Sequence, residues 1–160
     1  TTLLEKVIGQ FQSTGFRIAV IKHTHHDFEI DKPGKDSYRL RQAGAQQTLI
    51  SGPNRWALMT EYNNNEPVKE KNLSDLVMLL NHKDLDLVLV EGFKSDHYPK
   101  IELHRRELNQ SPLFPKDPTI VAIATDCNTL ADCHLPLLDI NNTEQICKYI
   151  LDRFSIKRLQ

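Results

Sequence analysis

The chain has 160 residues, a length typical of one domain with a substantial buried core. It carries 20 Lys and Arg residues against 21 Asp and Glu, and this balance lacks the basic excess expected of a nucleic-acid-binding protein. No apolar run approaches the roughly 20 residues of a membrane span, and three cysteines without CxxC spacing are typical of a reduced, cytoplasmic protein. We therefore expect neither a nucleic acid nor a membrane as partner.

The first predicted element is a helix over residues 2–14, whose apolar stripe ends at Gly15. Residues 17–21 (RIAVI) predict a buried strand, followed by a loop that contains three histidines. Asp36 is the predicted N-cap of a helix that runs to about Ala43. The later predicted elements, in chain order, are strands over 48–51 and 56–61, a loop over 63–67, a helix over 73–80, strands over 85–90 and 100–104, a proline-rich loop over 111–118, and strands over 120–124 and 137–140.

The last predicted element is a helix that Asn142 caps, with Gln145 at the third helical position in a capping-box pattern. Its predicted buried face holds Ile146, Ile150, Leu151 and Phe154.

Helices alternate with nearly continuous apolar strands along this chain. That pattern is typical of the α/β class, with a mostly parallel sheet covered by helices on both faces. We expect residues 1–160 to form a single domain of this kind. Ligands bind such folds at the carboxyl ends of the strands, so the residues that follow each strand are the first candidates for a site.

The chain opens on two threonines and an apolar helix (TTLLEKVIGQF), although an open α/β sheet normally places a strand before its first helix. These threonines resemble the end of the phosphate-binding loop G-x-x-x-x-G-K-[ST]. In that interpretation Thr1 supplies the Mg²⁺-binding hydroxyl, and the glycines, the lysine and one strand are missing from this chain. The alternative is an ordinary helix with threonine at its cap.

The segment LDLVLVEGF has the form of a Walker B strand, an apolar run that ends in an acid. Glu91 is therefore the candidate catalytic residue and Mg²⁺ ligand, and Gly92 leaves room for the backbone to approach a phosphate. Asp86, inside the strand, is a weaker candidate. The alternative for Glu91 is a strand-end carboxylate that faces water.

Asp126 ends another apolar strand, in IVAIATDCN. A carboxylate there can accept hydrogen bonds from both N1–H and the exocyclic amine of guanine, which adenine cannot donate. The lysine of the usual Asn/Thr-Lys-x-Asp pattern is missing, and the alternative is a turn aspartate that binds its own backbone.

Three histidines, His23, His25 and His26, are close enough in sequence to bind one metal ion, with Asp27 and Glu29 as the nearest further ligands. A phosphate site is the competing interpretation. Lys22 ends the preceding strand, and a Pro-Gly turn and a predicted helix start follow the histidines. The charged residues around that turn are Lys32, Lys35, Asp36, Arg39 and Arg41, and the third interpretation is a solvated charged loop.

The segments VIKHTHHDFEIDKPGKDSYRLRQAGA, RWALMTE, LDLVLVEGFK and LPLLDIN together resemble the molybdopterin-guanine dinucleotide biosynthesis protein B (MobB) family. The resemblance extends over nearly the whole chain. It implies a P-loop GTP-binding protein, usually a homodimer, that hydrolyses GTP weakly and assists the transferase which joins GMP to molybdopterin. It also implies GTP and Mg²⁺ as cofactors, and it matches Thr1, Glu91 and Gly92 to nucleotide-site positions.

Three functions are compatible with these patterns. The first is a GTP-binding accessory protein in molybdenum cofactor biosynthesis. The second is a non-catalytic adaptor that docks onto the transferase or a molybdoenzyme, and the third is a metal carrier that uses the histidine loop. The first assigns nucleotide binding to Thr1, Thr2, Lys22, His23, Gly92 and Asp126, Mg²⁺ to Thr1 and Glu91, and phosphate or pterin contacts to His25, His26, Lys32, Lys35, Asp36 and Arg39.

Overall fold

The computed structural model describes residues 2–26, 28–62 and 70–158, so Thr1, Asp27 and the predicted loop over 63–67 lie outside the described residues. The helices are α1 (Thr2–Ser13), α2 (Asp36–Gln42), α3 (Leu73–Met78) and α4 (Thr143–Phe154). The strands are β1 (Ile18–Lys22), β2 (Gln47–Ser51), β3 (Trp56–Thr60), β4 (Leu87–Glu91), β5 (Lys100–His104), β6 (Ile120–Thr125) and β7 (Leu137–Asp139). Two 3₁₀ turns cover His82–Asp84 and Arg106–Leu108. None of the helices described is long and apolar enough to cross a membrane.

The chain divides into two compact units. The first unit contains Thr1–His23 and Leu73–Gln160, and the second unit contains Thr24–Asn72. The second unit is thus inserted into the chain of the first. The organisation of the chain as a single domain stays a prediction.

The strands of the first unit are parallel. Strand β1 pairs with β4 in a register that places Ile18 opposite Leu87 and Lys22 opposite Glu91. Strands β5, β6 and β7 form a second parallel ladder. The predicted α/β class with parallel strands is confirmed. Among the described residues these strands form two ladders instead of one continuous sheet.

The core of the first unit lies between β6 and the helices α1 and α4. Phe11 of α1 and Ile146 of α4 pack in one cluster with Ala122 and Ala124 of β6, whose small side chains are fully buried. Such small residues let helices approach a strand closely. Cys147 belongs to the same cluster, and burial raises the pKa of its thiol to about 11, so the thiol stays protonated at neutral pH.

The second unit contains an antiparallel hairpin in which β2 pairs with β3, with Leu49 opposite Leu58. Arg41, just before the end of α2, forms ion pairs with Glu29 and, at 3.1 Å, with Glu61. These contacts join the segment before the helix to the residue that follows β3. Arg41 is one of the charged residues of the predicted phosphate loop, and in the structure its guanidinium is held by these two carboxylates.

Three local predictions need correction or refinement. Lys35, with extended backbone, is the N-cap of α2, so Asp36 is the first helical residue and not the cap; helix ends are commonly misplaced by one residue. Phe154, the last residue of α4, is 40% exposed, although Leu151 and Ile156 on either side of it pack against the core. Asn142 does cap α4 by accepting from the Gln145 N–H at 3.0 Å, but the Gln145 side chain accepts from the Asp139 N–H rather than from Asn142.

Candidate functional site

Lys22 and Glu91 meet at the carboxyl ends of two parallel strands. The β1–β4 register places them opposite each other, and Nζ of Lys22 lies 3.0 Å from Oε2 of Glu91. The hydrogen bond from Lys22 lowers the pKa of the Glu91 carboxyl, an effect that partial burial opposes. The side chain of Glu91 is 33% exposed, so the site holds an ionised carboxylate that solvent can reach.

The turn after Glu91 is tightly packed against the end of β1. Gly92 has φ 101° and Phe93 has φ 50°, both in the left-handed region. A Cβ atom on Gly92 would lie 2.8 Å from the Cβ of His23, whose N–H donates to the Glu91 carbonyl at 2.9 Å. The close approach of His23 therefore leaves no space for a side chain at position 92. This constraint is additional to the predicted approach of a phosphate to the backbone of Gly92.

Phe93 is a residue of this site that sequence reasoning missed. Its ring centroid lies 4.6 Å from that of His23. The ring contact and the backbone hydrogen bond hold the ends of β1 and β4 together. An aromatic residue directly after the Glu-Gly pair was the only signal in the sequence.

Asp126 follows β6 directly and is exposed. Its Oδ1 accepts from the Arg106 N–H at 3.0 Å and lies 3.7 Å from the Cys127 sulfur. The hydrogen bond from Arg106 is the main cause of the lowered pKa of Asp126. Asp126 thus fixes the 3₁₀ turn after β5, a contact with backbone twenty residues away that neither predicted role included.

Asp86 lies at the opposite end of β4 from Glu91, just before the strand begins. It accepts from the Arg17 N–H at 2.8 Å, its side chain is only 1% exposed, and the Arg17 guanidinium lies within 3.4 Å. The buried Asp86 carboxylate thus fixes the start of the β1–β4 ladder through Arg17. The weak proposal of Asp86 as a metal ligand is replaced by this structural role.

His25 and His26 lie in the second unit and are exposed. Thr24 stabilises their turn, since its hydroxyl accepts from the His26 N–H at 3.2 Å. Throughout the described ranges, no group of three or more His, Cys, Asp and Glu residues could hold a metal ion. The interpretation of this loop as a metal site gains no geometric support from the part of the chain that is described.

The remaining predicted phosphate-loop residues also lie in the second unit. Lys32, Lys35, Asp36 and Arg39 are all exposed, and Arg39 lies 4.0 Å from the Asp36 carboxylate. An exposed pair of this kind interacts weakly in water. Their side chains therefore form a solvated, mixed-charge surface.

At the chain start, Thr2 is the exposed first residue of α1, while Thr1 lies outside the described residues. Of the two predicted Mg²⁺ ligands, the structure describes Glu91 alone. Its charged, accessible carboxylate has the chemistry that Mg²⁺ prefers.

The fold and the strand-end pair define an α/β protein whose candidate site lies at the carboxyl ends of parallel strands. The sequence model described as molybdopterin guanine dinucleotide synthesis protein B matches residues 1–126, so the chain belongs to this family. The predicted family membership is thereby confirmed.

Two relatives extend the match over most of the chain. A protein of Escherichia coli (strain K12), described as a molybdopterin-guanine dinucleotide biosynthesis adapter protein, is 43% identical over 153 residues, which cover 95% of this chain and 85% of the relative. A protein of Haemophilus influenzae with the same description is 43% identical over 150 residues, which cover 94% of this chain and 80% of the relative.

Solved structures show the same fold. The crystal structure of a MobB homologue from Bacillus stearothermophilus superposes with a TM-score of 0.66 at 22% identity, covering 96% of this chain and 88% of that one. The crystal structure of Bacillus subtilis MobB gives a TM-score of 0.67 at 21% identity, and the match covers 98% of this chain and 90% of that one.

Proposed function

We propose that this chain is a guanine-nucleotide-binding adapter in the biosynthesis of molybdopterin-guanine dinucleotide. The observation that carries the proposal is the Lys22–Glu91 pair at the carboxyl ends of β1 and β4. Parallel α/β folds bind ligands at this edge, and both relatives above are described as adapter proteins of this biosynthesis. The partners would be the transferase that joins GMP to molybdopterin, or molybdopterin itself.

In this proposal GTP and Mg²⁺ are the cofactors, and Glu91 and Thr1 hold the metal ion. Bound Mg²⁺ neutralises phosphate charge in P-loop proteins. Lys22 would leave Glu91 and bind a phosphate oxygen, while the Gly92 turn and His23 keep the strand ends in register. Thr2 would complete the phosphate contacts at the start of α1.

The other predicted contacts belong to the same proposal. Asp126 would accept from the guanine base through the carboxylate oxygen that Arg106 does not bind. The exposed residues of the second unit would contact phosphate or pterin, namely His25, His26, Lys32, Lys35, Asp36 and Arg39. GTP hydrolysis by this chain would be weak.

The first prediction concerns Glu91. A Glu91→Gln variant is expected to bind GTP about tenfold more weakly in the presence of Mg²⁺, because a charged ligand to the metal is lost. Without Mg²⁺ its affinity should equal that of the wild type. Calorimetry with both metal conditions measures this, and Glu107→Gln, an exposed acid in the turn after β5, is the control. Equal Mg²⁺-dependent affinity in both variants would remove Glu91 from the metal site.

A non-catalytic adaptor is the second candidate function, and the word adapter in the relatives' descriptions favours it. The same substitution separates the two. If a strain deficient in the cofactor regains its synthesis with Glu91→Gln, nucleotide turnover is dispensable and docking is the function.

We also propose that the chain forms a homodimer through the outer face of the hairpin. Leu49, Trp56 and Leu58 lie exposed on that face, and Trp56 is 70% exposed. Met59 is the only buried apolar side chain among the described residues of the second unit. A two-stranded hairpin is marginally stable alone, so a second copy that covers this face would supply the missing apolar contacts.

A Trp56→Lys variant is therefore expected to be monomeric at concentrations where the wild type is dimeric. A lysine at the centre of an apolar interface leaves a desolvated charge, which costs several kcal/mol. Sedimentation equilibrium measures the change. Met78→Lys, which replaces an equally exposed apolar side chain in the first unit, is the control. A dimeric Trp56→Lys protein would place the interface elsewhere.

A further inference from the structure

An open cleft of about 380 Å³ lies at the carboxyl end of β5, within the first unit. Its lining starts at His104, the last residue of β5, and continues along the 3₁₀ turn with Arg106 to the loop that holds Leu130. Small-molecule sites have volumes of roughly 300–1,000 Å³ and favour this edge of parallel sheets. Asp126, which is assigned to the guanine base above, binds the Arg106 N–H at the wall of this cleft, whereas none of the lining residues has a role in the proposals above.

Two carboxylates fix its walls. Asp126 binds the Arg106 N–H at 3.0 Å, and Glu102 accepts from the N–H groups of Leu113 and Phe114 at 2.6 and 2.9 Å. Glu102 is only 9% exposed, and a carboxylate is buried at a cost of several kcal/mol unless it is well hydrogen-bonded. The segment from 106 to 114 is thus held in place before any ligand arrives, which lowers the entropic cost of binding.

The lining combines an apolar surface with unused polar groups. Phe114 and Leu130 offer apolar surface, whereas the side chains of Asn109 and Gln110 make no hydrogen bond to the described part of the chain. A primary amide presents a donor and an acceptor side by side, which suits the edge of a nitrogen heterocycle. None of the described residues that line the cleft is Asp or Glu.

Arg106 adds a positive charge at the rim. The carboxylate of Asp126 binds the Arg106 N–H at 3.0 Å and so lies close to this charge. Asp126 also offsets part of the charge that a bound anion would feel. Contacts with the ring of a ligand are therefore expected to contribute at least as much to the binding free energy as contacts with its anionic group.

We propose that this cleft binds a fused-ring nitrogen heterocycle that carries an anionic group. This chemistry is shared by a guanine nucleotide and a phosphorylated pterin, so the inference rests on the proposed function. The ring packs against Phe114, the amides of Asn109 and Gln110 bind its edge, and Arg106 binds the anionic group.

Pterin-6-carboxylate, a fluorescent pterin with one carboxylate, is the probe. Arg106→Ala is expected to weaken its binding about tenfold, since one charge-assisted hydrogen bond is lost. Asn109→Gly should weaken it by a smaller factor, and glycine keeps the left-handed backbone found there, φ 51°. Arg153→Ala, which removes an exposed arginine outside the cleft, is the control, and thermal unfolding verifies that all variants fold.

Competition experiments identify whether the ligand of the cleft is a guanine nucleotide or a pterin. Displacement of the probe by GMP supports the guanine nucleotide as ligand, whereas a probe that GMP does not displace supports the pterin. Displacement by ribose 5-phosphate as strongly as by GMP would overturn the inference, because that compound has the anionic group without the ring. Unchanged binding in both cleft variants would also overturn it. The calorimetry of Glu91→Gln uses GTP with Mg²⁺ and tests the proposed nucleotide site. Its outcome is therefore independent of the binding of pterin-6-carboxylate to the cleft.

Discussion

Replacing Gly92 with alanine is expected to lower the free energy of unfolding by about 2 kcal/mol and to disrupt the candidate site. The backbone at Gly92 has φ 101°, a strained value for any residue with a Cβ atom. The new methyl group would also lie 2.8 Å from the Cβ of His23. Relief of this clash requires the Glu91–His23 hydrogen bond to lengthen, which displaces Glu91 from Lys22. Urea denaturation measures the loss of stability.

Gly9→Ala is the matched control for this substitution. Gly9 lies inside α1, and a Cβ atom there would meet nothing within 4 Å. Alanine favours the helix over glycine by roughly 0.5–1 kcal/mol, so this variant is expected to be more stable than the wild type. Similar stability of the two alanine variants would contradict the close packing of the turn after β4.

Loss of the Glu102 carboxylate is expected to have the largest effect on stability. A Glu102→Ala variant leaves the Leu113 and Phe114 N–H groups without their acceptor and should be less stable by about 3 kcal/mol. Urea denaturation measures the change, and hydrogen exchange at these two amides should accelerate. Glu107→Ala, which removes an exposed carboxylate nearby, is expected to change stability by less than about 0.5 kcal/mol.

The stability of Glu102→Ala also bears on the cleft. If the variant folds but binds pterin-6-carboxylate more weakly, Glu102 is a positioning residue that acts through Phe114. If its amides remain protected from exchange, the loop is held by other contacts, and the role assigned to Glu102 is wrong.

The elements could be predicted from sequence because their apolar patterns are long and regular. The run LVLVE of β4 and the stripe of α1 need no distant information to be recognised. The errors fall at element ends, as with Asp36 and Phe154. There the outcome depends on one residue of backbone geometry or on which side chains the tertiary packing covers.

The site was only partly predictable for a different reason. Lys22 and Glu91 each stand at the end of a predicted strand, but their ion pair depends on a register between distant strands, which sequence periodicity does not encode. Glu102 looks like an ordinary polar residue of an alternating strand. Its role depends on two amides eleven and twelve residues away, and no local pattern indicates them.

The insertion of the second unit has a consequence for the order of folding. Arg17 and Asp86, which pair at the start of the β1–β4 ladder, are 69 residues apart, and closing a loop of that length costs about 4 kcal/mol of entropy plus a constant term. During synthesis at about 5–20 residues per second, β1 leaves the ribosome roughly 3 to 14 s before its partner strand exists. The Lys22–Glu91 pair is therefore expected to form late, after the whole inserted unit has been translated.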